Sequence, residues 1–169
     1  MVELSRPVSV ERLPATLMVE ADVEERDALA TRLRIVAVLA LRCRFTLKRF
    51  GSTVVAHGVL QARVVQSCVV SLEPVEQAVA ETFELRFVPA GRESTDDDMD
   101  PETPDELPYD GTRIDLGEAA AEQLALALDP YPRHPDAALG AGDNEPPLDG
   151  PGESGTGVFG GLAALRRPQ

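Results

Sequence analysis

Apolar residues recur at every second position over three long stretches of this chain, and that alternation predicts a sheet of antiparallel strands. From Val36 to Lys48, Leu39, Leu41, Cys43, Phe45 and Leu47 fall on one side, and Ala40, Arg42, Arg44, Thr46 and Lys48 on the other. After a turn over Arg49-Phe-Gly-Ser52 the alternation resumes through Val54, Ala56, Gly58, Leu60, Ala62, Val64, Cys68 and Val70. With Phe50 and Gly51 at the centre of that turn, Leu47 pairs with Val54, Phe45 with Ala56 and Leu41 with Leu60, so the apolar residues share one face. The same register sets Arg44 opposite His57 and Arg42 opposite Val59 on the outer face. A third strand is predicted from Glu76 to Val88, with Val79, Phe83, Leu85 and Phe87 inward and Glu84 and Arg86 outward.

The remaining elements frame these strands. Gln66 to Val75 ends one strand, turns at Glu73-Pro74 and leads into the next, with Cys68 and Leu72 expected to be buried. Asp22-Val-Glu-Glu25 is a capping pattern followed by Ala28, Leu29, Arg32 and Leu33 at helical spacing, which predicts a helix from about Val23 to Arg34. Asp115-Leu-Gly-Glu118 opens a second helix, whose apolar face includes Leu116, Ala120, Leu124 and Leu128 and which Pro130 stops. Pro7 and Pro14 divide the first nineteen residues into two short edge strands. The fold class is therefore α+β: an antiparallel sheet or partly closed barrel of about five or six strands with two packed helices.

Composition divides the 169 residues further. Residues 1–135 form a single α+β domain. Within it, Gly91 to Asp110 holds many carboxylates against the single Arg92 and almost nothing apolar, which predicts a flexible acidic loop. Residues 136–157, rich in Gly, Pro and acid, read as a disordered linker, and residues 158–169 as a terminal peptide that docks on its own domain or on a partner. The net charge of -13 argues against nucleic acid on average. The average hides a local excess, because eight of the 16 basic residues lie between Arg26 and Arg63. Two cysteines without an apolar leader point to a reducing compartment, with the cytoplasm as the expected location. The longest apolar run, Ile35 to Leu41, is too short to span a bilayer.

The candidate chemistry follows from these placements. Arg42, Arg44 and Lys48 line the outer face of one strand beside His57 of its neighbour, and with Arg49 and Arg63 they form a candidate phosphate-contacting surface. A charged solvent face with acids nearby is the competing description, and Phe50 is the one candidate for an exposed stacking aromatic. Cys68, on an apolar face, reads as a small buried hydrophobe rather than a nucleophile. Arg133-His134 is either a recognition segment or a solvated helix exit. Cys43, Cys68, His57 and His134 are the whole supply of soft ligands and none stands in a paired spacing, so no metal, cofactor or small-molecule substrate is expected, and no catalytic constellation emerges.

Three motifs carry a resemblance. Cys68-Val-Val-Ser-Leu-Glu-Pro74 is similar to a Cys-x-x-Cys-Leu-Glu-Pro corner, Ile114-Asp-Leu-Gly-Glu118 leads into Glu122-Gln-Leu-Ala-Leu126, and Phe159-Gly-Gly-Leu-Ala-Ala-Leu165 closes the chain. In order and spacing they resemble the bacterial YceD-like family, implicated in accumulation of large-subunit ribosomal RNA. The resemblance marks Cys68, Leu72, Glu73, Pro74, Asp115, Leu116, Gly117 and Glu118 as structural motif positions. It implies a non-enzymatic ribosome-biogenesis factor, with ribosomal RNA or a large-subunit ribosomal protein as partner. The alternative is an acidic adaptor that binds a basic ribosomal protein without touching RNA. Ser71, and the segment Pro132-Arg-His-Pro135, stand where many relatives carry further cysteines.

Overall fold

The computed structural model describes residues 3–92 and 104–136. Nine regular elements occur in these residues: β1 (Pro7–Ser9), β2 (Thr16–Glu20), α1 (Val23–Leu33), β3 (Ala37–Phe50), β4 (Thr53–Ser67), β5 (Pro74–Pro89), β6 (Asp105–Tyr109), β7 (Arg113–Asp115) and α2 (Leu116–Ala127), with a 3₁₀ turn at Val10–Arg12. The main sheet runs β2-β3-β4-β5-β6, and β1 pairs with β7 in a separate two-stranded sheet. All pairings are antiparallel except β5 with β6. The fold is thus α+β with an open sheet rather than a closed barrel. The expected linker at 136–157 beyond its first residue, the terminal peptide at 158–169 with its Phe159 to Leu165 motif, and much of the acidic segment lie outside the described residues.

The first helix forms as its cap predicts. The Asp22 side chain accepts the Glu25 N–H, and Glu25 returns a bond to the Asp22 N–H. No glycine follows, so Arg34 itself adopts the left-handed conformation, φ 54°, that ends the helix. Arg6 then grips Glu25 through both terminal nitrogens, at 2.6 and 2.9 Å, which ties the N-terminal segment to α1. Arg32 reaches Glu3 and Glu118 from the other end of the helix.

The β3–β4 hairpin differs from the expected register by two residues. Gly51 and Ser52, not Phe50 and Gly51, occupy the turn, so Leu47 faces Ala56, Phe45 faces Gly58 and Arg44 faces Val59. Gly51 takes φ 62°, the sign required at the first central position of a type II′ turn, a conformation open to Gly51 and strained for Phe50. Because side chains alternate with period two, a two-residue shift leaves every residue on its expected face. One residue does change sides. A bulge between Val38 and Ala40 turns Val38 inward and leaves Leu39, expected inside, 40% exposed.

The buried face is aliphatic. Leu41, Cys43, Phe45 and Leu47 of β3 meet Val54, Ala56, Leu60, Ala62 and Val64 of β4 under α2, where Leu116, Ala120 and Leu124 are fully buried. Removing each large side chain from water contributes roughly 1.5–3 kcal/mol. Phe83 of β5 lies over Gly58 and meets Phe45 edge-on at a centroid distance of 5.8 Å. A methyl group at Gly58 would collide with that ring. Two short strands appear where none were expected. Asp105–Tyr109, inside the segment read as a loop, pairs with β5 as β6, and Tyr109 donates its hydroxyl to the Ser52 carbonyl. β7 pairs Ile114 with Val8 and leads directly into α2.

Candidate nucleic-acid interface

The outer sheet face is built from rows of side chains that cross the strands. Cross-strand pairing aligns Glu20, Arg42, Gln61 and Ala80 in one row, Met18, Arg44, Val59 and Thr82 in the next, and Thr16, Thr46, His57 and Glu84 in a third. Arg42, Arg44, Lys48, His57, Gln61 and Arg63 are all exposed, and Met18 and Val59 between them keep 49% and 47% of their surface open. Beyond the bulge, period two in β3 places the even-numbered residues from Ala40 to Lys48 outward, because Leu41, Cys43, Phe45 and Leu47 carry the core.

The six candidate cations fall into three groups. Arg42, Arg44 and Lys48 stand in one column along β3 and have no carboxylate partner among the described residues; Arg42 instead donates its Nε to Gln61 Oε1 at 2.8 Å. His57 and Arg63 on β4 are paired: His57 Nε2 lies 3.0 Å from Glu84, and Arg63 Nε donates to Glu76 at 2.8 Å. Arg49 leaves the face altogether. Its odd position turns it the other way, where it donates to the Gly51 carbonyl at 2.8 Å and the Val10 carbonyl at 3.3 Å. Gln61 was legible as an outer residue from its place in the alternation, but its bond to Arg42 depends on the register.

The corner after β4 is a different kind of site. Cys68, the residue after the strand, has no exposed surface. Its sulfur accepts the backbone N–H groups of Val70 and Ser71 at 3.4 Å and of His134 at 3.3 Å. These donors, with the Ser71 side chain first, hold the thiol down to about 6 against the opposing effect of desolvation. Cys43, also fully buried but without such a set of donors, is pushed up to about 12 by burial. Cys68 is therefore buried as expected, yet it is a polar acceptor and not a mere hydrophobe. The corner also joins the segment beyond α2: Val69 N–H reaches the Pro132 carbonyl at 2.9 Å, and Gln66 Nε2 reaches that of Asp129 at 2.9 Å. Leu72 departs from expectation. It adopts φ 63° and is 77% exposed, because the chain must reverse between Cys68 and Glu73, whose carbonyl accepts the Cys68 N–H.

Asp115, Leu116, Gly117 and Glu118 form a joint. Asp115 caps α2 by accepting the N–H groups of Gly117 and Glu118, and it accepts the Arg6 N–H at 2.8 Å and the Ser5 hydroxyl. The N-terminal segment crosses so closely that a Cβ on Gly117 would lie 2.8 Å from both the Leu4 carbonyl oxygen and the Arg6 nitrogen. Leu116 is fully buried, and Glu118 holds Arg32. The motif needs small, capping and paired residues for architectural reasons.

Among the described residues no group of three His, Cys, Asp or Glu side chains is placed to hold a metal ion, and no helix is long and apolar enough to cross a membrane. A family model described as large ribosomal RNA subunit accumulation protein YceD matches residues 56–165. The match takes in most of β4, the corner and the Asp115 joint, and begins downstream of Arg42, Arg44 and Lys48. No curated protein and no solved structure matches the chain.

Proposed function

The chain belongs to the YceD family of large ribosomal RNA subunit accumulation proteins, and from that premise we propose that it acts without catalysis, binding RNA on the outer face of β3. The observation that carries this reading is the column of Arg42, Arg44 and Lys48, cations exposed together with no acid partner among the described residues. Six residue steps of strand span about 20 Å, enough to follow several nucleotides of backbone. A cation without a partner exchanges its counterions for phosphate, whereas a paired one must first lose its carboxylate. Phe50, 63% exposed, ends β3 two residues beyond Lys48. Recognition is accordingly dominated by phosphate contacts, which position RNA and carry little sequence information.

The test is binding of large-subunit ribosomal RNA fragments at several salt concentrations, comparing the unmodified protein with Arg42→Glu/Arg44→Glu/Lys48→Glu. The triple variant is expected to lose most of its affinity, with a salt slope shallower by about 3, or about 1 for each lost phosphate contact. If the unmodified protein binds no RNA but captures a ribosomal protein directly, the chain is instead an acidic adaptor for a basic partner, a role compatible with its net charge of -13.

A further inference from the structure

The bulge in β3 opens a hollow at one end of the outer face. Val38 pairs with Val64 and Ala40 with Arg63, so Leu39 is the extra residue, and the bulged strand twists away from a regular ladder. Beside it lies a hollow of about 270 Å³, lined by Ala40 together with Arg26 of α1, Arg42 of β3, Gln61 and Arg63 of β4, and Glu20 of β2. Three arginines from three elements thus line one space.

Their existing bonds leave donors over. Arg26 uses Nη1 on the Ala21 carbonyl, at 3.1 Å. Arg42 uses Nε on Gln61 Oε1, which leaves its two terminal nitrogens and the Gln61 amide nitrogen as donors. Arg63 uses Nε and Nη2 on Glu76. Glu20 is the one acid in the lining, and the pairing of Glu20 with Arg42 across β2 and β3 keeps it beside the cations. With Glu76 counted on Arg63, three positive charges meet two negative ones. The net single positive charge is equal and opposite to that of one phosphodiester. Guanidinium groups present paired, planar donors suited to phosphate oxygens, as a lysine ammonium does not.

We propose that this hollow is a phosphate-binding pocket that anchors one backbone phosphate of RNA, with Arg26 as a contact contributed by α1 from beside the sheet. The inference rests on the RNA-binding reading of the outer face and extends it to a residue outside the β3 column.

Two measurements test it. In the first, a 5′-hydroxyl RNA trinucleotide is titrated into the full chain while the side-chain Nε–H signals of its arginines are followed by NMR. The Arg26 and Arg42 signals are expected to shift together and saturate. Shifts that do not saturate, or that leave Arg26 unmoved, overturn the pocket. If only the 5′-phosphorylated trinucleotide moves them, the hollow takes a chain-end phosphate and its assignment to a backbone phosphate is overturned. In the second, Arg26→Gln is expected to bind a ribosomal RNA fragment several-fold more weakly, with the salt slope reduced by about 1. Wild-type affinity and slope in Arg26→Gln, alongside losses in Arg44→Gln, would remove the pocket and leave the face. Saturable Arg26 shifts in a protein whose Arg44→Glu/Lys48→Glu variant, which leaves every lining residue of the hollow in place, binds RNA normally would do the reverse.

Discussion

The two halves of the outer sheet face carry similar numbers of basic side chains and differ in what those side chains face. Along β3, Arg42, Arg44 and Lys48 have no acid partner among the described residues. Across β4 to β6 the basic side chains face acids: His57 lies beside Glu84, Arg63 pairs with Glu76, and Arg86 with Glu106 at 3.2 Å. Counting charges along the chain would treat the halves alike. Pairing separates them, because an exposed ion pair has already spent most of its potential on its neighbour. A protein of strongly negative net charge can therefore keep a localised surface for anions.

This contrast can be broken experimentally, first from its stronger side. Arg44→Gln should weaken binding of a ribosomal RNA fragment and flatten its salt slope by about 1, whereas Arg86→Gln should leave the slope unchanged. Equal effects from the two variants would erase the distinction. A smaller change is expected from the opposite direction. Glu76→Gln releases Arg63 from its partner, so binding should strengthen and the slope should steepen by up to about 1; an unchanged slope would mean that Arg63 contributes nothing even when freed.

The smallest effect on binding belongs to Cys68, and its signature is pH. Its thiol is held at about 6 in the fold against an ordinary value of 9.0, so the thiolate stabilises the fold fully above about pH 9, and that contribution is lost as the pH falls through 6. In urea unfolding, the stability gap between the unmodified protein and Cys68→Ser should shrink from pH 9 to pH 5.5, while RNA binding at neutral pH stays the same. A gap that does not vary with pH would show that the three backbone donors do not stabilise a thiolate. Cys43, pushed up to about 12 in the fold, is present in both proteins, so its own pH dependence cancels in the gap.

Local pattern made much of this protein legible. Alternation in β3, β4 and β5 set the buried face, and it survived a register error because a two-residue shift cannot exchange faces. Both capping patterns started helices at the residue they marked, Asp22 and Asp115. The column of Arg42, Arg44 and Lys48 was readable for the same reason as the core opposite it. Single residues at breaks in the period were not. Leu39 and Leu72 are apolar residues in otherwise regular runs, and only a bulge and a left-handed turn turn them out to water. β6 was hidden because a five-residue edge strand, Asp105 to Tyr109, with a proline and two acids has almost no alternation to detect.

What the sequence determined by itself, then, is what depends on near neighbours along the chain: which side of a strand a residue faces, where a helix begins, and where basic residues cluster. Partnership was left to the tertiary structure. Whether Arg63 is free or held by Glu76, whether Arg49 joins the basic face or turns to Val10, and whether Cys68 is inert or held by the N–H of His134 all depend on segments brought together by folding. Charge and hydrogen bonding act over a few ångströms of space, and a pattern of period two says which face a side chain takes but not which neighbour it meets there.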